Sequence, residues 1–143
     1  MSPSTGSNEA LRIRKAILAF NESDFARLLS MNVVEAHDGF ARVTMDCSGK
    51  MNPHKVAHGG AIFSLADHAF GIAANCNGVD RVAVSVHIQY ISPATGSLTA
   101  VAERVAERVA DNGKYSTFRV KVSEAERLIA EFNGVALQVN RER

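Results

Sequence analysis

Gly59 and Asp67 stand eight positions apart in the run His58-Gly59-Gly60-Ala61-Ile62-Phe63-Ser64-Leu65-Ala66-Asp67-His68-Ala69-Phe70. After the glycines the pattern predicts a helix, with Ala61, Leu65 and Ala69 in step, as are Ile62, Ala66 and Ala73. A helix start carries backbone N–H groups without partners and a partial positive charge, which suits an oxygen bearing negative charge. Asp67 follows about two turns later, roughly 12 Å along the axis at about 1.5 Å per residue. Its neighbours are apolar or small, and a lone carboxylate is costly to bury among them. A donor for an oxyanion and a carboxylate are the two parts that acyl-group hydrolysis needs. On one helix they stand too far apart to act on one carbon. Two copies of the helix, antiparallel in a dimer, would set the Gly59 end of one against Asp67 of the other.

Other polar residues gather around this helix. Asn52 precedes His58 by six residues and stands next to Pro53, so it is either a turn former or part of the site. His58 on its own reads more often as structural, holding a loop by hydrogen bonds, than as catalytic. Ser85 shares a strand face with His87 and Gln89, which suits a plain surface strand as well as a site. Rival chemistries fit poorly. Ser64 lacks the Gly-x-Ser-x-Gly elbow of a hydrolase nucleophile. His54, His58 and His68 have no Cys or carboxylate at a standard metal spacing, so no metal is expected. Cys76 lies in an apolar context and reads as core. No glycine-rich phosphate loop is present.

The elements that must position these residues can be outlined. Residues 1–8 read as a disordered tail and 9–143 as a single domain. Glu9–Phe20 reads as an amphipathic helix with Leu11, Ala16, Ile17 and Phe20 on its apolar side. Ser23 is a plausible cap for a short helix. Strands are expected at Asn32–Glu35 and Phe40–Met45, joined at His37-Asp38-Gly39. The Asn52-Pro53 loop leads into the central helix, which ends near Asn75–Gly78. Val82–Ile91 alternates strongly, placing Val82, Val84, Val86, Ile88 and Tyr90 on one side and Ala83, Ser85, His87, Gln89 and Ile91 on the other. Long strands Leu98–Val109, Tyr115–Val122 and Leu128–Val139 follow, with turns at Asp111-Asn112-Gly113-Lys114 and Ser123–Glu126. The expected class is α+β: a long central helix, an antiparallel sheet and an N-terminal helical segment.

At 143 residues the chain is long enough to bury a core without disulfides or metal. A net charge of +1 with dispersed basic residues argues against nucleic acid or an anionic membrane as partner. The two cysteines, Cys47 and Cys76, suit a reducing compartment. With no signal-peptide core at Met1–Ser7 and no membrane-length apolar run, the expected location is the cytoplasm.

The run Asn52–Gly78 resembles the signature of the hotdog-fold acyl-CoA thioesterases, and most nearly their phenylacetate-degradation (PaaI-type) subgroup. The likeness rests on Asn, His-Gly-Gly and Leu-Ala-Asp with Ala-Phe at the family spacing. It extends through Tyr90-Ile91-Ser92-Pro93, Gly113-Lys114 and Ala130-Glu131-Phe132-Asn133-Gly134. It implies a helix wrapped by a curved antiparallel sheet, subunits joined edge to edge, and dimers paired into a homotetramer. It implies Asp67 as catalytic nucleophile or general base, Gly59 as the backbone N–H that polarises the thioester carbonyl, and His58 and Asn52 as orienting residues. Some relatives use a serine on the strand after the helix; Ser85 lies near that position, although counting back from Pro93 gives Ala83. Gly60, Ser85 and Lys114 are candidate substrate contacts. Arg81, Lys114 and Arg127 are candidates for the CoA nucleotide, and Phe63, Phe70, Ala73 and Ala74 for the acyl pocket. No cofactor is implied, since a thiolate leaves readily and only carbonyl polarisation and an activated water or carboxylate are needed. The expected substrate is an acyl-CoA, of aromatic (phenylacetyl-CoA) type or medium chain. The alternatives are an enoyl-CoA hydratase or dehydratase of the same fold, and a non-catalytic acyl-CoA-binding module.

Overall fold

The structure, a computed structural model, describes residues 5–140. Three helices, α1 (Thr5–Glu22), α2 (Asp24–Leu28) and α3 (Gly59–Asn75), accompany six strands: β1 (Asn32–His37), β2 (Phe40–Asp46), β3 (Arg81–Tyr90), β4 (Ser97–Ala110), β5 (Gly113–Glu124) and β6 (Arg127–Gln138). The strands form one antiparallel sheet in the order β1-β2-β4-β5-β6-β3. Every strand except β1 and β3 has two neighbours, so those two are the edges. The α+β arrangement of a central helix within an antiparallel sheet is the one the resemblance implied.

The apolar period of α3 decides its place. Ala61, Ile62, Leu65, Ala66, Ala69, Phe70, Ile72, Ala73 and Ala74 are all buried, a stripe too broad for a surface helix. Phe70 packs edge-on to Phe118 at 5.3 Å and tilted to Phe132 at 5.7 Å, in the favourable range for aromatic pairs. The sheet bends around this helix with help from register shifts in the β1–β2, β3–β6, β4–β5 and β5–β6 pairings, since an extra residue on one strand kinks it.

Gly134 on β6 lies directly under Phe70; a Cβ there would stand 2.8 Å from the ring's Cζ. Gly134→Ala is therefore expected to destabilise the fold by about 1–3 kcal/mol through overpacking beneath α3. Urea denaturation checks this, and an unchanged midpoint would show that the ring moves aside freely.

Two sequence expectations are corrected. The first helix begins at Thr5, not Glu9, so the polar segment from Thr5 to Asn8 is its first turn. Apolar periodicity gives no signal in a polar turn. The helix is held nearby by Asn77, which donates to Glu9 at 3.3 Å and accepts from Arg12 at 3.1 Å. Residues 1–4 of the expected tail lie outside the described residues.

The alternation along β3 is also interrupted. The register to β6 shifts between Ala83 and Ser85, so Val84 bulges out of the ladder. Ala83, Val86, Ile88 and Tyr90 face buried or inward positions of β6 (Ala136, Gly134, Phe132 and Ala130), whereas Val82 pairs with Leu137 on the other face.

Candidate functional site

Three residues build the start of α3. His58 is the N-cap, extended at φ −61° and ψ 135°, and its Nδ1 accepts the Gly60 N–H at 2.8 Å. An accepting Nδ1 carries no proton, so the ring is the neutral tautomer with its proton on Nε2, free to donate outward. The His58 carbonyl accepts from Ala61 N–H at 2.9 Å and Ile62 N–H at 3.2 Å. The carbonyl of Gly59 accepts from the Tyr90 hydroxyl at 2.8 Å. Among the described residues the Gly59 N–H finds no acceptor, although the peptides on both sides of it are fixed.

The two glycines have separate reasons. A Cβ at residue 59 would press on the Tyr90 ring at 3.3 Å, and one at residue 60 would meet His58 Nδ1 at 3.0 Å. The pair is thus a steric requirement of the cap and of β3. Gly60, a candidate substrate contact, has its N–H committed to His58, so Gly59 supplies the open donor.

Gly59, Phe63 and Asp67 recur every four residues and share one stripe of α3. Phe63 packs edge-on to Phe132 at 5.5 Å, which places this stripe toward β6 and the open edge strand β3. Asp67 was expected among enclosing apolar neighbours; in the single chain it is exposed, on the side of the helix away from its buried stripe. Desolvation by the surrounding protein nevertheless pushes its carboxyl above the ordinary Asp value, and among the described residues no cation offsets this. The neighbouring His68 turns the other way, edge-on to Phe20 of α1 at 5.9 Å, and burial holds its pKa below the ordinary value. The carboxylate and the histidine beside it do not meet.

Asn52 organises the loop ahead of the helix. Its Oδ1 accepts from His54 N–H at 2.9 Å and Val56 N–H at 3.4 Å, and its backbone carbonyl accepts from Lys55 N–H at 2.9 Å. The turn role is therefore real, and it occupies the side-chain oxygen while leaving Nδ2 to donate elsewhere. The two roles can be separated. Asn52→Asp retains the acceptor and loses the donor, so melting temperature is expected to hold while turnover falls by about tenfold or more. Asn52→Ala is expected to lower both. Thermal melts beside turnover assays decide, and an active Asn52→Asp would confine Asn52 to loop building.

The remaining candidates sit elsewhere. Ser85 pairs with Val135 and shares the outer sheet face with His87 and Gln89, away from α3. Lys114 joins Glu107 at 3.2 Å; Glu107 also faces Arg81 at 3.8 Å, and Arg81 donates to the Ala74 carbonyl at 2.6 Å. Lys114 therefore belongs to the C-terminal end of α3, opposite Gly59. Cys76 is a buried free thiol pushed up to about 11, chiefly by desolvation, which keeps it protonated and unreactive at neutral pH. Arg127 donates to the Pro93 carbonyl at 2.7 Å.

Two open hollows flank the helix start. One, of about 310 Å³, is lined by Ala57, Gly59, Ile62, Tyr90, Ile91, Ser92 and Pro93. The other, of about 320 Å³, is lined by Phe25, Leu29, Gly49, Lys50, Met51, His58, Gly60, Ala61 and Ser64. Tyr90 was not among the sequence candidates. Only its contact with Gly59, 31 residues away in the chain, reveals it.

Comparison with known proteins identifies the family. Residues 54–110 match the model of the Thioesterase superfamily. The chain is 36% identical over 112 residues to the acyl-coenzyme A thioesterase PaaI of Escherichia coli, covering 76% of this chain and 78% of that protein. The solved structure of the E. coli PaaI protein from the phenylacetic acid degradation operon superposes with a TM-score of 0.80 at 26% identity, covering 92% of this chain and 96% of that one. The TT0310 protein of Thermus thermophilus superposes with a TM-score of 0.75 at 30% identity, covering 82% and 99%. The chain belongs to the thioesterase superfamily. It is a thioester hydrolase of the hotdog fold, similar to PaaI.

Proposed function

We propose that the chain hydrolyses an acyl-CoA to the free acid and CoA at a site shared by two subunits, with Gly59 of one and Asp67 of the other as its poles. The observation that carries this is the Gly59 N–H, which has no acceptor among the described residues although the His58 and Gly59 carbonyls are both held, beside a hollow on the open edge strand. Such a donor needs no reorganisation when negative charge builds on the thioester oxygen, and one of this type is worth about 10²–10³ in rate. Asp67, desolvated and without a cation to hold it, serves as base for water or as nucleophile. His58 Nε2–H and Asn52 Nδ2 donate to the carbonyl or to the attacking water.

The edge supports a second copy as partner. β3 has ten residues, lies at the rim of the sheet, and exposes Val82, Val84, Val86, Tyr90 and, just beyond it, Ile91. A long apolar edge left bare is a template for another strand. Pairing two β3 strands about a two-fold axis continues the sheet and lays the α3 stripes side by side and antiparallel. The Ala74–Arg81–Glu107–Lys114 end of one subunit then extends past the glycine end of the other, the position from which Lys114 would reach the CoA portion. Dimers of this kind associate into the tetramer as a separate step. Two free buried thiols suit the cytoplasm, and among the described residues no helix is long and apolar enough to cross a membrane.

The test is release of free thiol from a panel of acyl-CoA esters, aromatic and medium-chain, with hydration of an enoyl-CoA followed in parallel. Thiol release is expected. Hydration without it would assign the site to hydratase chemistry, and binding of CoA esters with neither reaction would make the chain a binding module.

A further inference from the structure

Resting on the thioesterase reading above, we infer that Tyr90 is a positioning residue for the oxyanion donor: its ring and hydroxyl hold the Gly59 peptide so that the Gly59 N–H points into the hollow. The Gly59–Gly60 peptide is gripped at both ends, its carbonyl by the Tyr90 hydroxyl at 2.8 Å and its N–H by His58 Nδ1 at 2.8 Å. The ring supplies the second constraint, lying 3.3 Å from where a Cβ of residue 59 would be, so Gly59 rests directly on it. The preceding peptide is held through the His58 carbonyl by Ala61 and Ile62. A first helical turn otherwise frays, because its N–H groups have no intrahelical partners. An oxyanion donor that wavers loses its advantage, which depends on the dipole being oriented before charge develops.

Tyr90 can hold this place because β3 is anchored beneath it. Tyr90 pairs with Ala130 on β6, one of the fully buried residues of the sheet. Position therefore passes from the sheet core through Tyr90 to the Gly59 peptide, in addition to the path along α3 itself. Tyr90 also lines the hollow, yet its hydroxyl is spent on the Gly59 carbonyl and is not aimed at a substrate atom.

Tyr90→Phe tests this, since it keeps the ring and removes one hydrogen bond. The expected result is a five- to tenfold fall in kcat, roughly the value of one hydrogen bond, with KM within about twofold. Amide exchange at Gly60, read by NMR, is expected to quicken in the same variant. Tyr90→Leu, which also removes support from the Gly59 Cα, is expected to fall further in kcat. Wild-type kcat with wild-type Gly60 exchange in Tyr90→Phe would overturn the inference. A drop in melting temperature with kcat and KM changing in proportion, and no change in Gly60 exchange, would also overturn it by reducing Tyr90 to a packing residue. If the wild type releases no thiol from any acyl-CoA, the thioesterase reading falls, while Gly60 exchange in the two variants still decides whether Tyr90 fixes the peptide.

Discussion

Asp67→Asn is expected to keep the fold and lower kcat for thioester hydrolysis by about 10²-fold or more, the loss of a base or nucleophile. Its stability response should run the opposite way to that of a structural carboxylate. Among the described residues Asp67 makes no ion pair, and desolvation raises its folded-state pKa above the unfolded value. The folded state then holds the Asp67 proton more tightly than the unfolded chain does. The contribution of this group to stability is full below the ordinary Asp range and declines as pH rises through the raised value. At neutral pH the ionised carboxyl is a small burden on the fold, which a neutral amide of the same shape relieves. Activity follows the reverse course, because the reaction uses the carboxylate. The acid limb of kcat/KM is expected above the ordinary Asp range and to vanish from the residual activity of Asp67→Asn. A variant with near wild-type turnover would remove Asp67 from the chemistry. One with a markedly lower melting temperature would make it a structural residue.

How much of this was legible in the sequence depends on how local each signal is. The Gly59 start, the Asn75 end and the buried stripe of α3 all follow from residues within one helix, and periodicity reports them directly. The hairpin at Asp38-Gly39 is equally local, since Gly39 takes φ 76°, a conformation few other residues accept. The β3 bulge is different. Nothing in Val82-Ala83-Val84-Ser85-Val86 marks the extra residue, because the register is set by β6, some fifty positions on. The bulge turns Ala83 inward and Val82 outward, which the alternation pattern could not foresee, while Ser85 stays beside His87 and Gln89 where that pattern put it. The same limit applies to the site. His58, Gly59 and Asp67 lie within ten residues of one another, and their types announce a cap, an open turn and a charge. Tyr90 reads as one more aromatic in a strand until the fold lays it on Gly59. Exposure of Asp67 was also hidden, because its sequence neighbours are apolar but point to the other side of the helix.

The complementation of two inactive subunits is the strongest expected effect of a shared site. Gly59 N–H and Asp67 are roughly 12 Å apart along α3, whereas an attacked carbonyl carbon lies about 3–3.5 Å from its attacker and its oxygen about 3 Å from the donor. One subunit cannot satisfy both. Gly59→Pro deletes the donor itself at a helix position where proline is favoured, and the extended backbone of His58 suits the residue before a proline. The Tyr90 ring, 3.3 Å from the new Cβ, must yield by a few tenths of an ångström. Homodimers of Gly59→Pro and of Asp67→Asn are each expected to be nearly inactive, as every site lacks one pole. A mixed dimer joins Gly59 of the Asp67→Asn subunit to Asp67 of the Gly59→Pro subunit, giving one intact site and one doubly crippled site. Random exchange at equal concentrations makes half the dimers mixed, so about a quarter of wild-type activity should return. Recovery should track the fraction of mixed dimers measured by native mass spectrometry. Verified mixed dimers without recovery, or full activity in a strictly monomeric wild type, would confine the chemistry to a single subunit and require a second route from Gly59 to a base.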